Sequence, residues 1–330
     1  MTIAFARTPL ISVIITTYNH GHFIGNTIDS VLNQTFPQKD LEIIVVDDGS
    51  TDDTPARVEK YKDKITYIYQ KNNGHVSACN AGVEVASGAI LAFLDSDDYF
   101  VPQKLSVIAE KFAQSESVDF LCHDVNIVDS NGTFIGTYFD YVGYRVKNGG
   151  KPERVDREEY LSGQLFLSAS TTAMAFETSC LRKVFPIPAH YFNTPDVYLL
   201  HSVLFYAREF VMIKEPLSCY RIHGSNIFAD IKAFKEHKHT HKQLKAMIRA
   251  YRLLIQDISR LGQDVGCDVS GLKRRLGRRI DHWECNLHWW RKIPFHYETL
   301  KEEGLRTCLL RSYIYRKSQI VMFLKRICSN

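Results

Sequence analysis

Three short apolar runs constrain this chain more than any other feature: ISVIITTY (11–18), LEIIVVDD (41–48) and AILAFLD (89–95). Each is about strand length, aliphatic or β-branched, and nearly continuous rather than alternating. Strands that bury both faces read this way, and they belong to largely parallel sheets. The segments between them have a different period. HFIGNTIDSVLNQTF sets Phe23, Ile24, Ile28, Val31 and Leu32 at helical spacing. In DDGSTDDTPARVEKYKDK, Ser50, Thr51 or Asp52 is placed to cap a helix entered at Thr54-Pro55. A weaker strand, ITYIYQ (65–70), and a helix over 76–86 complete the series. The alternation predicts an α/β fold, a mostly parallel Rossmann-like sheet flanked by helices.

In such sheets the ligand sits beyond the carboxyl ends of the strands. Those ends carry Thr16-Thr17-Tyr18-Asn19, Asp47-Asp48-Gly49-Ser50 and Asp95-Ser96-Asp97-Asp98, so three polar clusters converge on one edge. Three carboxylates within four positions repel one another unless a cation sits among them. Oxygen ligands at this spacing suit Mg²⁺ or Mn²⁺ better than zinc. Taken alone, the cluster reads equally as a capped turn after a buried strand. The first strand leads into YNHGHFIG, not G-x-G-x-x-G, and no G-x-x-x-x-G-K-[ST] occurs. A nucleotide would therefore be held by side chains and a metal. Tyr18 offers an aromatic face for a base, with a core position as the alternative. Asp48 offers an acceptor for a base N–H.

These residues carry a resemblance. The segment from ISVIITTYNHGHFIGNTIDSVLNQTF through LEIIVVDDGSTDDT to NNGHVSACNAGVEVASGAILAFLDSDDYFVPQKL is similar to glycosyltransferase family 2. A looser match runs through STTAMAFETSCLRKV and NTPDVYLLHSVLF to LSCYRIHGSN. The resemblance implies a GT-A fold and inverting transfer from a nucleotide-sugar, a UDP-sugar by the match of Thr17, Tyr18 and Asp48 to uracil-binding positions. Asn19 falls in the same donor-binding group. Asn80 matches the Asn of an A-R-N element beside the diphosphate. Asp95 opens the D-x-D spacing, Asp97 would touch the donor's ribose or sugar, and Asp98 would ligate Mn²⁺ or Mg²⁺ with His223 completing the shell. Asp196 matches the catalytic base, and a helix N-cap is its plainer reading. Two positions depart from the pattern: Cys79 stands where the family often has Arg, and Pro195 replaces a Glu before Asp196.

Charge separates the chain into two parts. Residues 231–330 hold 22 Lys and Arg against 9 Asp and Glu, which leaves the first 230 residues at −9 within a total of +4. The expected division is a catalytic domain over 1–230, with its donor half at about 10–118 and its acceptor half at 119–230, followed by a basic helical region over 231–330. Gly262 and Gly271–Gly277 are expected breaks in those helices, and 140–156 an expected loop. HKHTHK (His237, His239, His241) reads as a basic solvated helix rather than a zinc site. GLRTCLLRSYIYRKSQIVMFLKRICSN suits either a helix lying on anionic lipid or one packing on protein, in this chain or a second copy. No C-x-x-C pair occurs among eight cysteines, no secretory segment is visible, and no apolar run reaches membrane-spanning length. The expectation is a cytoplasmic enzyme, peripheral on the inner face of a membrane, acting on a saccharide or lipid-linked acceptor in cell-surface glycan synthesis. The competing readings are a non-catalytic nucleotide-sugar-binding subunit with a decayed acceptor site and a phosphoryl-transfer enzyme. Nucleic-acid binding is disfavoured, since no such motif accompanies the basic tail.

Overall fold

The structure, a computed structural model, describes residues 11–142, 153–155, 157–162, 168–224, 226 and 241–290. It divides into two units, Met1–Arg278 and Arg279–Asn330. The apolar runs are strands β1 (Ile11–Thr17), β2 (Leu41–Asp47) and, after the weaker β3 (Thr66–Tyr69), β4 (Ile90–Asp95). β1 pairs in parallel with β2 from Ile11↔Leu41 to Thr17↔Asp47, and with β4 from Ile11↔Ile90 to Thr16↔Asp95. Every residue of β1 is buried, which is why its run does not alternate. That register sets Thr16, Thr17, Asp47 and Asp95 side by side at one rim.

The sheet continues past β4 through β5 (Tyr99–Phe100), β6 (Val118–Asp129), β7 (Phe134–Thr137), β8 (Glu153–Val155), β9 (Met174–Glu177) and β10 (Glu209–Ile222). Its order is β3-β2-β1-β4-β9-β6-β10-β5, with β7 on β6 and β8 on β10. β10 is parallel to β6, while β9 runs antiparallel to both β4 and β6. The start of β9 therefore meets the ends of its neighbours. Thr171 and Thr172, just before β9, join the rim by this reversal.

Helices cover both faces of the sheet: α1 (Gly21–Leu32), α2 (Thr54–Val58), α3 (His75–Val85), α4 (Lys104–Gln114), α5 (Tyr138–Val142), α6 (Arg157–Leu161), α7 (Thr178–Arg182) and α8 (Pro195–Ser202). On one face Val13, Ile15 and Val45 share a core with Ile24, Ile28 and Val31 of α1 and with Leu105 and Ile108 of α4. On the other, Ile14 and Val46 meet α3. A Cβ at Gly82 would stand 2.4 Å from Ile14 Cγ2, so only glycine lets this helix approach so closely.

A turn at Asn131-Gly132 joins β6 to β7, with Gly132 at φ +85° and Asp129 Oδ1 accepting from the N–H groups of Asn131 and Thr133. The expected loop over 140–156 begins in α5 and ends in β8, because 153–155 find a partner in β10. Downstream, α9 (His241–Asp264) and α10 (Ser270–Trp290) are long helices. Gly262 does not break α9; the chain turns at Gly266, at φ +67°. Gly271 and Gly277 lie inside α10, where Leu272 and Leu276 one turn apart bury a common face. α9 buries Leu244, Ile248, Tyr251, Leu254, Ile258 and Leu261 along one stripe and packs on α8. Asp257 of α9 accepts from Tyr191 Oη (2.9 Å) and pairs with His190 Nε2 (3.3 Å). The division after Arg278 leaves α9 within the first unit. His237 and His239 and the whole of 300–330 lie outside the described residues, as do the side chains of 241–243. No helix among the described residues is long and apolar enough to cross a membrane.

Candidate active site

The rim formed by the ends of β1 and β2 is built around two aspartates that face protein donors. Asp48 is buried; its Oδ1 accepts from Gln70 Nε2 (2.6 Å) and the Asn73 N–H (3.0 Å), and its Oδ2 from the Gly74 N–H (2.7 Å). It organises the 70–74 loop, where the sequence suggested an acceptor open to a base. Asp52 links two helices, taking the Gly21 N–H of α1 (3.0 Å) and the Thr54 N–H and hydroxyl of α2 (3.0 and 2.5 Å). Asn19, at φ +54°, accepts from the Thr51 N–H and donates its own N–H to Ser50 Oγ, both at 2.8 Å. It ties two loops together. Two positions remain open for a ligand. Tyr18 is 46% exposed, so the core alternative falls, and Thr17 Oγ1 is buried with no hydrogen-bond partner among the described residues.

The Asp95–Asp98 turn distributes its carboxylates in three directions. Asp95 Oδ2 accepts from Thr171 Oγ1 (2.9 Å), and Oδ1 lies 3.2 Å from His75 Nε2. Burial works to raise its carboxyl, but the His75 cation and the hydrogen bonds hold it below the usual value. Asp97 Oδ2 lies 3.0 Å from His223 Nε2 and accepts from Asn226 Nδ2 at 3.2 Å. Asp98 turns inward. It is fully buried, accepting from Thr172 Oγ1 (2.6 Å) and from the Arg221 N–H (3.0 Å). Burial and the charges of Asp97 and Asp95 push its carboxyl well above the usual range. The carboxylate expected to ligate a metal, Asp98, thus faces protein donors, while its neighbour Asp97 stands at the rim with two histidines. In a turn this tight only one of two adjacent side chains faces outward, and Thr172 and Arg221 draw the second one in. Asp97, His223 and His20 form the group whose ligand atoms all lie within 4.8 Å of one another.

On the other flank stands α8. Thr194 occupies its N-cap, and Asp196 is in the first turn rather than at the cap. Burial pushes the Asp196 carboxyl up to about 6; the Val197 N–H and His75 pull against this, and the charge of Asp95 adds to it. Its half-buried carboxylate is thus poised to hold or release a proton near neutral pH. Pro195 is the first residue of this helix, where a missing N–H costs nothing. Asn80 does not face the rim. Its amide clamps the backbone of Ile187, donating to the carbonyl (3.0 Å) and accepting from the N–H (2.8 Å). The amide that the resemblance set beside a diphosphate makes this link to the loop before α8.

Four functional candidates escaped the sequence reading. His20, directly before α1, donates to or accepts from Ser96 Oγ through Nδ1 at 2.8 Å. His75 opens α3 and bonds Thr16 Oγ1 at 3.0 Å. Burial disfavours its charge, but the Cys79 sulfur and the Asp95 carboxylate hold it well above the ordinary imidazole value. A cation thus stands one helical turn before Cys79, the position where the family pattern has Arg. Arg221 lies over the rings of Phe23 (4.7 Å) and Tyr99 (5.2 Å) and donates to Asn26 Oδ1 (2.8 Å). Lys104 is fully buried, donating to the Thr172 carbonyl (2.7 Å) and Ser218 Oγ (3.1 Å), and burial drives its ammonium well below the ordinary value. Only the histidines left a trace in the sequence, in NHGH and NNGHV beside the motif residues.

Comparison with known proteins places this geometry in context. The Glycosyl transferase family 2 model matches residues 12–162. An uncharacterized glycosyltransferase of Nostoc sp. is 35% identical over 223 residues, 66% of each chain. Chondroitin synthase of Escherichia coli is 33% identical over 141 residues, 42% of this chain and 20% of that protein. The chain thus spans just under two thirds of the first relative and a small part of the second. A structure of S. aureus TarS 1–349 in complex with UDP superposes with a TM-score of 0.51 at 20% identity, over 73% of this chain and 64% of that one. A mannosyltransferase of Pyrobaculum calidifontis in complex with GDP-Man and Mn²⁺ gives 0.57 at 16% identity, over 96% and 81%. At these identities the likeness is one of fold.

Proposed function

Because the chain belongs to glycosyltransferase family 2 and carries the GT-A fold, we propose that it is an inverting glycosyltransferase. Its donor is a nucleoside-diphosphate sugar, a UDP-sugar first. Its acceptor is a hydroxyl on a saccharide or lipid-linked glycan, in the assembly of a cell-surface polysaccharide. One observation carries this reading: a cluster of two imidazoles and a carboxylate (His20, Asp97, His223) and a carboxyl with a pKa of about 6 (Asp196) flank the same rim. The named ligands of the fold neighbours, UDP in one and GDP-Man with Mn²⁺ in the other, support the donor class. Chondroitin synthase among the relatives supports polymer synthesis.

The donor set fits a divalent ion: a carboxylate and two imidazoles are hard-to-borderline ligands suited to Mn²⁺ and, less well, Mg²⁺. Such an ion, when bound by Asp97 and His223, supplies charge to offset that developing on the leaving diphosphate. The chain's own residues do the remainder. Tyr18 stacks on the base, and Thr17 Oγ1 gains the partner it lacks. Asp95, held ionised by His75 and Thr171, accepts from donor hydroxyls. Asp196 takes the proton from the acceptor hydroxyl as that oxygen bonds to the anomeric carbon and the bond to the diphosphate breaks. The nucleoside diphosphate leaves, and the single displacement inverts the carbon. The same reading puts the protein in the cytoplasm at the inner membrane face, with residues 300–330 making the contact.

A panel of UDP- and GDP-sugars with Mn²⁺ and saccharide acceptors, scored for nucleoside diphosphate release, tests the proposal. Acceptor-dependent release that Asp196→Asn removes is the expected result. Donor binding without release under every acceptor would instead identify a non-catalytic donor-binding subunit.

A further inference from the structure

His20, Asp97 and His223 reach the rim from three separate places: the residue before α1, the turn after β4 and the residue after β10. Their geometry resembles a coordination shell more than a chance meeting of side chains. Two ligands at right angles on one ion, each about 2.1 Å from it, stand about 3 Å apart. Asp97 Oδ2 and His223 Nε2 are 3.0 Å apart. The ligand atoms of all three residues fall within 4.8 Å of one another, close enough for a single ion to be shared among them.

The surroundings of His20 point the same way. Its Nδ1 is engaged by Ser96 Oγ at 2.8 Å, which leaves Nε2 as the ligating nitrogen and fixes the ring. Phe23 orients both imidazoles, its ring 4.7 Å from that of His223 and 6.1 Å from that of His20. The two histidine rings meet edge to face at 5.8 Å. His20 makes no side-chain cap to α1, so the helix start gives it no other employment.

We propose that His20 is a third protein ligand, and that this chain holds its ion on a face of two imidazoles and one carboxylate before any nucleotide arrives. This rests on the reading of Asp97 and His223 as metal ligands. Three positions of an octahedral ion then remain for diphosphate oxygens and water. Imidazole nitrogens bind Mn²⁺, Fe²⁺ and Co²⁺ in preference to Mg²⁺, so the site discriminates against the more abundant ion.

The test is binding of Mn²⁺ alone to the full chain, without nucleotide, read by the loss of the free-ion electron paramagnetic resonance signal. Pulsed resonance on the bound ion then reports its nitrogen ligands. Wild-type protein is expected to bind one Mn²⁺ and show couplings to two imidazole nitrogens. His20→Ala should show one coupling and at least about tenfold weaker binding. Ser96→Ala, which keeps the imidazole but frees its orientation, should lose about 10- to 100-fold, the usual effect of removing a partner behind a ligand. A single nitrogen coupling in the wild-type protein would overturn the proposal without recourse to any variant. So would unchanged affinity and two couplings in His20→Ala. If Asp97→Asn also binds Mn²⁺ as wild type does in the presence of UDP, the metal reading of the whole site fails, and this one with it.

Discussion

Adjacent aspartates with opposite orientations divide the labour in the DSDD turn. Asp97→Asn should abolish Mn²⁺-dependent UDP binding in calorimetry and leave the melting temperature unchanged, since Asp97 is bonded to site residues that remain. Asp98→Ala should do the reverse. It strands the Arg221 N–H and Thr172 hydroxyl in a buried site, a loss of about 1–3 kcal/mol in denaturant unfolding. Asp98→Asn, which keeps an acceptor for that N–H, should bind metal nearly normally. Asp196 gives a second prediction, with a pH axis. As a base with a pKa of about 6, it should impose a fall in kcat/KM below about pH 6, and Asp196→Asn should lose about 10²–10⁴-fold in turnover. Stability moves oppositely. A carboxyl raised above its unfolded value of 3.8 favours the fold while protonated, and that advantage is lost as pH rises through about 6. Asp196→Asn should therefore match wild type near pH 4 and melt higher than wild type at pH 8. The convergence of polar residues on one rim was legible in the sequence, because strand ends and residue types announce it. Which aspartate faces outward was not. That choice depends on Thr172 and Arg221, which lie 74 and 123 positions away and carry no signal of their own. Asn80 and Asn19 show the same limit: an amide that clamps backbone has the same letter as one that binds ligand.

At the scale of elements, the strands read best where both faces are covered. β1, β2 and β4 appear as continuous apolar runs because the sheet leaves no face of them wet, and α1 follows from its stripe of Ile24, Ile28 and Val31. β8 and β9 were illegible, since three or four residues contain too little pattern and owe their pairing to β10, β4 and β6. The C-terminal helices misled through composition: their basic charge suggested a region apart, yet α9 turns an apolar stripe inward and sends only its charged side out. Asp257 makes this attachment testable. Tyr191→Phe removes one hydrogen bond to it and should cost about 1 kcal/mol, and Asp257→Ala, which strands the buried Tyr191 hydroxyl and also loses the His190 pair, should cost more. Unfolding curves for the two variants check the order. A chain ended before residue 241 should fail to fold cooperatively, while one ended after 290 should keep its UDP affinity.

For the whole molecule, the separation of charge matters more than its total. The first 230 residues sum to −9 and the last hundred to +13, so the basic segment is the part of the chain that an anionic bilayer would attract. Removing residues 300–330 should release the protein from anionic vesicles in sedimentation, and raised salt should do the same to the full chain, while transfer to a soluble acceptor continues. The reversal of β9 has a further consequence, in the order of synthesis. A ribosome delivers the DSDD turn early, but Thr171 and Thr172, which latch Asp95 and Asp98, emerge about seventy-five residues later. Arg221 and His223 come some fifty residues after that. Contacts so distant along the chain form late, after the local βα units have condensed. The nascent protein therefore carries its acidic turn unlatched while the local βα units condense, and the contacts that close the rim wait for the last strand of the sheet to clear the exit tunnel.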